Sequence, residues 1–190
     1  MNPLKALLAT LLLAGSNSWG DTWQLLPDSE LAFTATQQGA EFEGRFHTFD
    51  AEIQFDPADP ASGHIKASIT LASVDTAYGE RDSYLREPEW FNVAIWPTAT
   101  YTAERIVKSG DKFIAIGILS LRNIDQPVDL SFTFVEKDGE TRLTGTAGIL
   151  RLSFDVGSGE WGNTQWVGNE VAVNVDLALV RAKQQGKEEE

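Results

Sequence analysis

The sequence predicts an all-β protein of one domain, built from seven or eight antiparallel strands. Past Gly20, almost every apolar stretch alternates with polar or small residues, which places one set of side chains on each face of a sheet. Short polar connections separate these stretches and favour antiparallel neighbours. Eight strands can close into a barrel, which removes the exposed edges of the sheet.

Residues 1–20 have the pattern of a cleavable signal peptide. Lys5 is the only charged residue among them, and an apolar run from Ala6 to Ala14 follows it. This run is too short to cross a bilayer, which needs about 20 residues. Ser18 and Gly20 are small enough for a signal peptidase site, so we expect cleavage after Gly20 and a periplasmic protein, with secretion beyond the periplasm as an alternative. An uncleaved anchor or a buried core helix is the competing interpretation.

Residues 21–182 are assigned to a single barrel domain, and residues 183–190 to a disordered polar tail. The formal net charge of −13 disfavours binding to nucleic acid and to anionic membrane surfaces. The chain contains no cysteine, which excludes thiolate metal sites and cysteine nucleophiles. Any apolar ligand would therefore have to lie inside the protein rather than on a basic face.

Seven alternating stretches predict strands, in this order: Leu31–Ala35, Phe49–Phe55, Ile65–Leu71, Phe113–Leu121, Val128–Phe134, Leu143–Ile149 and Val171–Leu179. Asp138-Gly139 has the composition of a tight hairpin turn. The alternation is broken by a short helix and loop around residues 82–91. Asp82 or Ser83 is a suitable helix cap there, and Pro88 would end the helix. We expect this insertion to lie over one end of the barrel.

Small residues at inward positions leave room inside such a barrel: Ala115, Gly117, Gly145 and Ala147. Large aromatic side chains would line that space: Phe33, Phe55, Phe113, Phe132 and Phe134. The alternation alone does not separate a lined cavity from a filled core, and the close packing of ordinary protein interiors favours the filled core.

The middle of the chain carries a series of motifs: Ser73-Val74-Asp75-Thr76, Arg81-Asp82, Leu85-Arg86, Trp90-Phe91-Asn92-Val93 and Trp96-Pro97-Thr98-Ala99-Thr100-Tyr101. Their order and spacing resemble the YceI-like family, whose pattern is S-hydrophobic-D-T, R-D, L-R, F-F-D-V and Y-P-T-hydrophobic-T-F. The likeness covers about the whole mature chain. Two departures are notable, because Arg151-Leu152-Ser153-Phe154-Asp155 stands where the family has R-S-D-F-G, and Asn123 stands where the family has a glycine after Arg122.

The resemblance implies an extended, lipocalin-like antiparallel barrel that is exported and holds a polyprenyl chain, an isoprenoid quinone or a similar acyl chain in a long internal pocket. It implies a carrier with a possible role in stress tolerance, transient membrane contact, and a monomeric or homodimeric state. The expected ligand is a non-covalently bound isoprenoid lipid or quinone, with no other cofactor and no catalytic activity. The alternative hypothesis is an enzyme that acts on a small apolar substrate in the barrel cavity.

The candidate ligand-binding residues are apolar or aromatic: Phe33, Phe46, Phe55, Ile69, Leu71, Leu85, Trp90, Phe91, Tyr101, Phe113, Leu119, Phe132, Phe134 and Phe154. Candidates for contact with a polar head group are Arg81, Arg122 and Arg151, because guanidinium groups pair well with phosphate or carbonyl oxygens. Arg81 has a structural alternative, an ion pair with Asp82.

No catalytic or metal-binding residue is assigned. The acidic residues near His47 could in principle hold a metal ion: Glu41, Glu43, Asp50 and Glu52. A solvated polar face is the favoured interpretation of this cluster. The sequence contains no G-x-S-x-G, H-E-x-x-H or P-loop motif.

Overall fold

The structure is a computed structural model that describes residues 21–137 and 139–182. The predicted signal peptide (1–20), Asp138 of the predicted hairpin turn, and the predicted tail (183–190) lie outside the described residues. Within the described residues the chain is almost entirely strand and turn, with one α-helix, α1, at Gly79–Arg86.

Eleven strands of the described chain form one continuous antiparallel sheet. In chain order they are β1 (Thr22–Leu25), β2 (Glu30–Gln37), β3 (Ala40–Phe46), β4 (Phe49–Gln54), β5 (His64–Thr70), β6 (Val74–Asp75), β7 (Thr98–Ser109), β8 (Lys112–Leu121), β9 (Ile124–Lys137), β10 (Glu140–Leu150) and β11 (Glu170–Arg181). Short 3₁₀ turns lie at Pro60–Ser62, Leu71–Ser73, Arg151–Phe154 and Gly159–Gly162.

The sheet closes into a barrel of eight staves, where a stave is one continuous or interrupted strand. Three staves are interrupted and consist of β1 with β2, β3 with β4, and β5 with β6. The long strand β11 pairs with both pieces of the first stave, through Arg181 opposite Trp23 and Ala172 opposite Thr34. Each stave pairs with the next along the chain, and β11 pairs back to the first. The predicted eight-stranded antiparallel barrel is therefore confirmed.

Alternating burial follows from the pleat of each strand. In β8, Phe113, Ala115 and Leu121 are buried, while the intervening Ile116 and Ile118 are substantially exposed. The hairpin from β7 to β8 turns at Gly110, whose φ of 60° suits a residue without a side chain. The sequence pattern therefore determines which side chains face the barrel interior.

The helix begins earlier than predicted. It starts at Gly79, so Asp82 lies in its first turn rather than at its cap. The buried carboxylate of Asp82 accepts hydrogen bonds from the backbone N–H of Thr76 (2.8 Å) and from its hydroxyl (2.7 Å). These bonds fasten α1 to the end of β6, and within the described residues Asp82 forms no ion pair with Arg81. The helix ends before Pro88, because Glu87 adopts the extended conformation typical of a residue that precedes proline.

One end of the barrel interior is filled by an aromatic plug, defined as Trp23, Phe55, Phe113, Phe132 and Phe134. The ring centroid of Phe55 lies 4.9 Å from that of Phe113, 5.3 Å from that of Phe132 and 5.0 Å from that of Phe134, all edge-on. The indole N–H of Trp23 donates to the carbonyl oxygen of Phe55 at 2.9 Å. Such edge-to-face aromatic pairs pack tightly, so this end of the barrel is solid.

Candidate functional site

A cavity of about 530 Å³ occupies the barrel between α1 and the aromatic plug. Its walls are almost entirely aliphatic and aromatic side chains from the inward faces of the strands. Fully buried Ile53 and Leu143 lie at its inner end, next to the plug. A cavity of this size lies in the range of small-molecule pockets, and its apolar walls suit an apolar ligand.

Nine of the candidate ligand-binding residues line this cavity: Phe33, Phe46, Ile69, Leu71, Leu85, Trp90, Phe91, Tyr101 and Leu119. The sequence placed them correctly on the inward face of the barrel or on the insertion that covers it.

The other five candidates do not line the cavity, and their expected place in the lining is corrected. Phe55, Phe113, Phe132 and Phe134 belong to the aromatic plug. Phe154 is buried within the 3₁₀ turn Arg151–Phe154. The alternation of a strand gives the face that a side chain occupies but not its depth along the barrel, so residues of the plug and of the cavity have the same sequence pattern.

Further wall residues were not among the candidate ligand-binding residues: Phe42, Phe49, Ala51, Trp161 and Val173 are examples, whereas Ala147 lines the cavity as its inward position predicts. Phe42 alternates with Gly44 and Phe46 along β3, so its inward position has a sequence signal. Trp161 lies in a 3₁₀ turn, where no periodic pattern indicates a direction.

The mouth of the cavity lies at α1. Tyr78 and Tyr84 line the cavity while remaining 53% and 48% exposed, which places them at its opening. The ring of Tyr84 lies 5.9 Å from that of Trp161, and Trp161 lies 5.7 Å from Trp90. Aromatic side chains therefore continue from the interior wall to the outer rim.

Arg151 was a candidate for head-group contact, and the structure gives it another role. Its buried guanidinium donates five hydrogen bonds to backbone carbonyl oxygens, those of Val156, Gly157, Trp161, Val167 and Gly168, over distances of 2.6–2.9 Å. Burial lowers the pKa of this guanidinium from its usual value. All five N–H donors of the group are in use, so it holds the loop between β10 and β11 rather than a ligand.

Arg122 is likewise occupied by the protein. Its buried guanidinium donates to the carbonyl oxygens of Pro88 (2.8 Å) and Trp90, and to the carboxylate of Asp155 (3.1 Å). It stacks over the ring of Trp96 at 4.8 Å. Because Arg122 does not line the cavity, its expected contact with a head group is corrected as well.

Arg81 differs from these two residues. It lines the cavity at the mouth, and its guanidinium carbon lies 3.9 Å from the ring centroid of Phe42 and 5.6 Å from that of Tyr78. Its buried Nε–H has no hydrogen-bond partner among the described residues. Arg122 has such an unpartnered Nε–H as well, so contact of Arg81 with a head group stays a prediction that rests on its place at the mouth.

Tyr101 lies on the cavity wall, and its hydroxyl is turned into the sheet. The hydroxyl lies 3.0 Å from the carbonyl oxygen of Ala115 and 3.2 Å from that of Val128, between which its proton is shared. A Cβ atom at Gly117 would lie 2.5 Å from the nearest atom of the Tyr101 ring, so only glycine leaves space for this ring to cross β8. Burial, with a smaller contribution from Asp129, raises the pKa of Tyr101 to about 12.

We expect Tyr101 to make stability fall at high pH. The unfolded chain ionises a tyrosine near pH 10, whereas the folded pKa of Tyr101 is about 12. The stabilisation from the neutral phenol is therefore complete below about pH 10 and is lost as the pH rises through about 12. Urea unfolding across this range should show a steeper decline for the wild type than for Tyr101→Phe, and equal slopes would contradict the assignment. At neutral pH the variant should lose about 1 kcal/mol with its hydrogen bond.

The acidic region near His47 does not gather around a metal site. The imidazole Nε2 of His47 lies 2.9 Å from the carboxylate of Asp75, and this exposed pair lowers the pKa of Asp75. Among residues 21–137 and 139–182, no three histidine, aspartate or glutamate side chains are grouped so that they could hold a metal ion. The single helix found in the same residues is too short and too polar to cross a membrane.

Comparison with known proteins identifies the family. The family model of the YceI-like domain matches residues 23–179, which is most of the chain. The chain belongs to the YceI-like family. A UPF0312 protein of Yersinia pestis is 37% identical over 102 residues, which is 54% of this chain and 48% of that protein. The matched segment thus spans about half the length of the curated relatives.

Solved structures share the barrel of this YceI-like chain. BcnA of Burkholderia cenocepacia superposes with a TM-score of 0.76 at 28% identity, over 79% of this chain and 95% of BcnA. A polyisoprenoid-binding domain from Saccharophagus degradans superposes with a TM-score of 0.64 at 16% identity, over 84% of this chain and 98% of that domain. At that level of identity the second likeness concerns the fold.

The two departures from the YceI-like pattern lie at the two ends of one ion pair, because Asn123 follows Arg122 in the chain and Asp155 is the partner of Arg122. Asn123 and Asp155 both have left-handed backbone angles, with φ of 60° and 56°, at positions where the family pattern has glycine. Asparagine and aspartate tolerate this region better than other side chains do. Asp155 also gives Arg122 a carboxylate partner, so the replacement of glycine adds an ion pair that ties the turn Arg151–Phe154 to the start of β9.

Proposed function

We propose that this protein binds a long-chain isoprenoid lipid inside its barrel and acts as a carrier rather than as an enzyme. The observation that carries the proposal is the apolar cavity of about 530 Å³, open at α1 and closed below by the aromatic plug. Transfer of a hydrocarbon tail from water into such walls is favourable by about 25 cal/mol per Å² of apolar surface buried. Membership of the YceI-like family and the likeness to a polyisoprenoid-binding domain support the same ligand class.

The two ends of the cavity set the orientation of the bound tail. The inner end of the cavity is closed by Phe55, Phe113 and Phe132, whereas the mouth carries the polar side chains of Tyr78, Glu80 and Arg81. A lipid would therefore enter tail first and leave its polar end at α1. Tail length is then limited by the plug, because no room is left for it beyond those rings.

We further propose that the protein works in the periplasm, where a water-soluble carrier is needed to move such a lipid. The export pattern of residues 1–20 supports this location. We propose no cofactor besides the lipid, transient contact with a membrane during exchange, a monomeric or homodimeric state, and a role in stress tolerance.

Mass spectrometry of the purified protein tests the proposal. The full chain is expressed in a bacterium, purified without detergent, and extracted with organic solvent. We expect a polyprenyl lipid in stoichiometric amount. If the protein carries no such lipid and takes none up from vesicles that contain polyprenyl lipids, the carrier function is wrong. Recovery of a chemically altered substrate in place of the added lipid would favour the enzyme alternative.

A further inference from the structure

We propose that the protein selects its lipid by tail length: the cavity takes up about three or four isoprene units, and lipids with much longer tails are poor ligands. This inference rests on the proposed lipid-binding function and adds a specificity to it. It follows from the place where the cavity ends on each strand, which the apolar character of the walls does not determine.

The cavity ends abruptly on several strands of the barrel. The innermost wall residues of β4, β9, β10 and β11 form the cavity floor, defined as Ile53, Leu130, Leu143 and Leu177. The next inward residues beyond this floor are buried and no longer line the cavity: Phe55, Phe132, Thr141 and Leu179. Because several strands contribute, the floor belongs to the barrel as a whole rather than to one side chain.

The aromatic plug supports the floor from behind. Phe55 packs edge-on against three other rings of the plug, with centroids 4.9–5.3 Å apart. Ile53 and Leu143 of the floor have no exposed surface. A tail that passed the floor would have to displace several closely packed rings at once. The floor is therefore a fixed end of the cavity, and a tail that enters at α1 stops there.

Strand geometry gives the depth of the cavity. The alternating wall residues of β11 run from Val171 near the mouth to Leu177 at the floor. At about 3.3 Å per residue this stretch spans about 20 Å, and a strand tilt of about 40° leaves a depth of about 15 Å along the barrel axis. An extended isoprene unit adds four chain carbons, which at C–C bonds of about 1.5 Å give about 5 Å of length. About three units therefore reach the floor, and about one more fits if the tail is bent.

A tail that is longer than the cavity loses apolar contacts. In a bilayer every isoprene unit is surrounded by hydrocarbon, whereas in this protein the units beyond the mouth would lie in water. Each such unit forfeits the free energy of burial, which is proportional to the apolar area removed from water. Transfer from a bilayer into the protein should therefore depend only weakly on tail length until the cavity is full, and should become unfavourable beyond that length.

A length series of prenyl alcohols tests the inference. The probes are farnesol, geranylgeraniol and solanesol, which share one head group and differ in the number of isoprene units. Each is offered in neutral vesicles to delipidated full-length protein, and bound lipid is measured by mass spectrometry after removal of the vesicles. We expect farnesol and geranylgeraniol to distribute alike between vesicle and protein, and solanesol to favour the protein less by about tenfold or more.

Variants of the floor identify the residue that sets the limit. Leu143→Phe raises the floor and should weaken binding of geranylgeraniol relative to farnesol by about tenfold. Leu143→Ala lowers the floor and should shift the preference in the opposite direction, towards the longer tail. The control is Ile118→Phe, which adds the same ring to the exposed outer face of β8 and should leave the distribution of all three probes unchanged.

The outcomes separate the two proposals. If solanesol distributes into the wild type as well as farnesol does, the tail passes the floor or folds back on itself, and the length limit is wrong while lipid binding stands. A folded Leu143→Phe with the wild-type ratio of geranylgeraniol to farnesol would overturn the assignment of the floor. Failure of all three probes to bind the wild type would instead overturn the lipid-carrier function. If neither Leu143 variant folds, the length series on the wild type still decides the limit.

Discussion

Replacement of Arg151 by methionine should destabilise the protein by about 3–5 kcal/mol. Arg151 is only 3% exposed, and its guanidinium donates to five backbone carbonyls between Val156 and Gly168. Methionine fills part of the space but donates nothing, so these carbonyls lose their partner, and each buried acceptor left unsatisfied costs about 1–3 kcal/mol. The net loss is smaller than the sum, because the loop can move and expose some carbonyls to water.

Urea unfolding measures this loss, with Arg105→Met as the matched control. Arg105 is exposed on β7, so the same substitution there should change stability by less than about 0.5 kcal/mol. Arg151→Lys should recover only part of the loss, because an ammonium group cannot reproduce the planar fork. A loss below about 1 kcal/mol for Arg151→Met would show that the five hydrogen bonds do not hold this loop.

Replacement of Ala147 by phenylalanine should reduce lipid retention by about tenfold or more, or about 1.4 kcal/mol in binding. Ala147 lines the cavity and packs against both the residues around the mouth and those around the aromatic plug, so it lies midway along the tail path. A benzene ring at this point would occupy space that the tail needs. The cost to folding should be about 1–3 kcal/mol or less, since an open cavity accepts added volume better than a filled core does.

The neighbouring position supplies the control for Ala147→Phe. Thr146 is exposed on the outer face of β10, so Thr146→Phe adds a phenylalanine to the same strand without entering the cavity. If Thr146→Phe binds lipid in stoichiometric amount and Ala147→Phe binds none, the result would support a path for the tail beside Ala147. If Ala147→Phe folds and retains as much lipid as the wild type, then the tail does not occupy the space beside Ala147.

The barrel was predictable from the sequence because the alternation of residues that forms each strand is a local property of the chain. Alternation with period two reflects the pleat of each strand, and it correctly placed Phe113 and Phe132 on the inward face. The helical insertion was also predictable, although its start was placed too late. Asp82 resembles a cap in sequence, but the structure uses it to bind Thr76 of the preceding segment.

The candidate site was only partly predictable. The motif Arg81-Asp82 correctly indicated the insertion at the mouth, and Trp90 and Phe91 within it line the cavity. The functions of the three arginines were not separable in the sequence, because the residues that flank each one do not show whether its guanidinium contacts backbone or ligand. Only the positions of the surrounding carbonyl oxygens distinguish Arg151, which holds a loop, from Arg81 at the mouth.

By itself the sequence determined the fold class, the inward faces of the predicted strands and the family, because these depend on spacing along the chain. Only the tertiary structure decided that the aromatic plug fills one end of the barrel interior and that a cavity occupies the rest up to α1. Phe33 and Phe55 have the same inward pattern, yet Phe33 lines the cavity and Phe55 closes it. The physical reason is the position of each residue along the barrel axis. Closure of the barrel brings strands that are distant in sequence together at each position along that axis. The side chains that meet there decide whether that part of the interior is filled or empty.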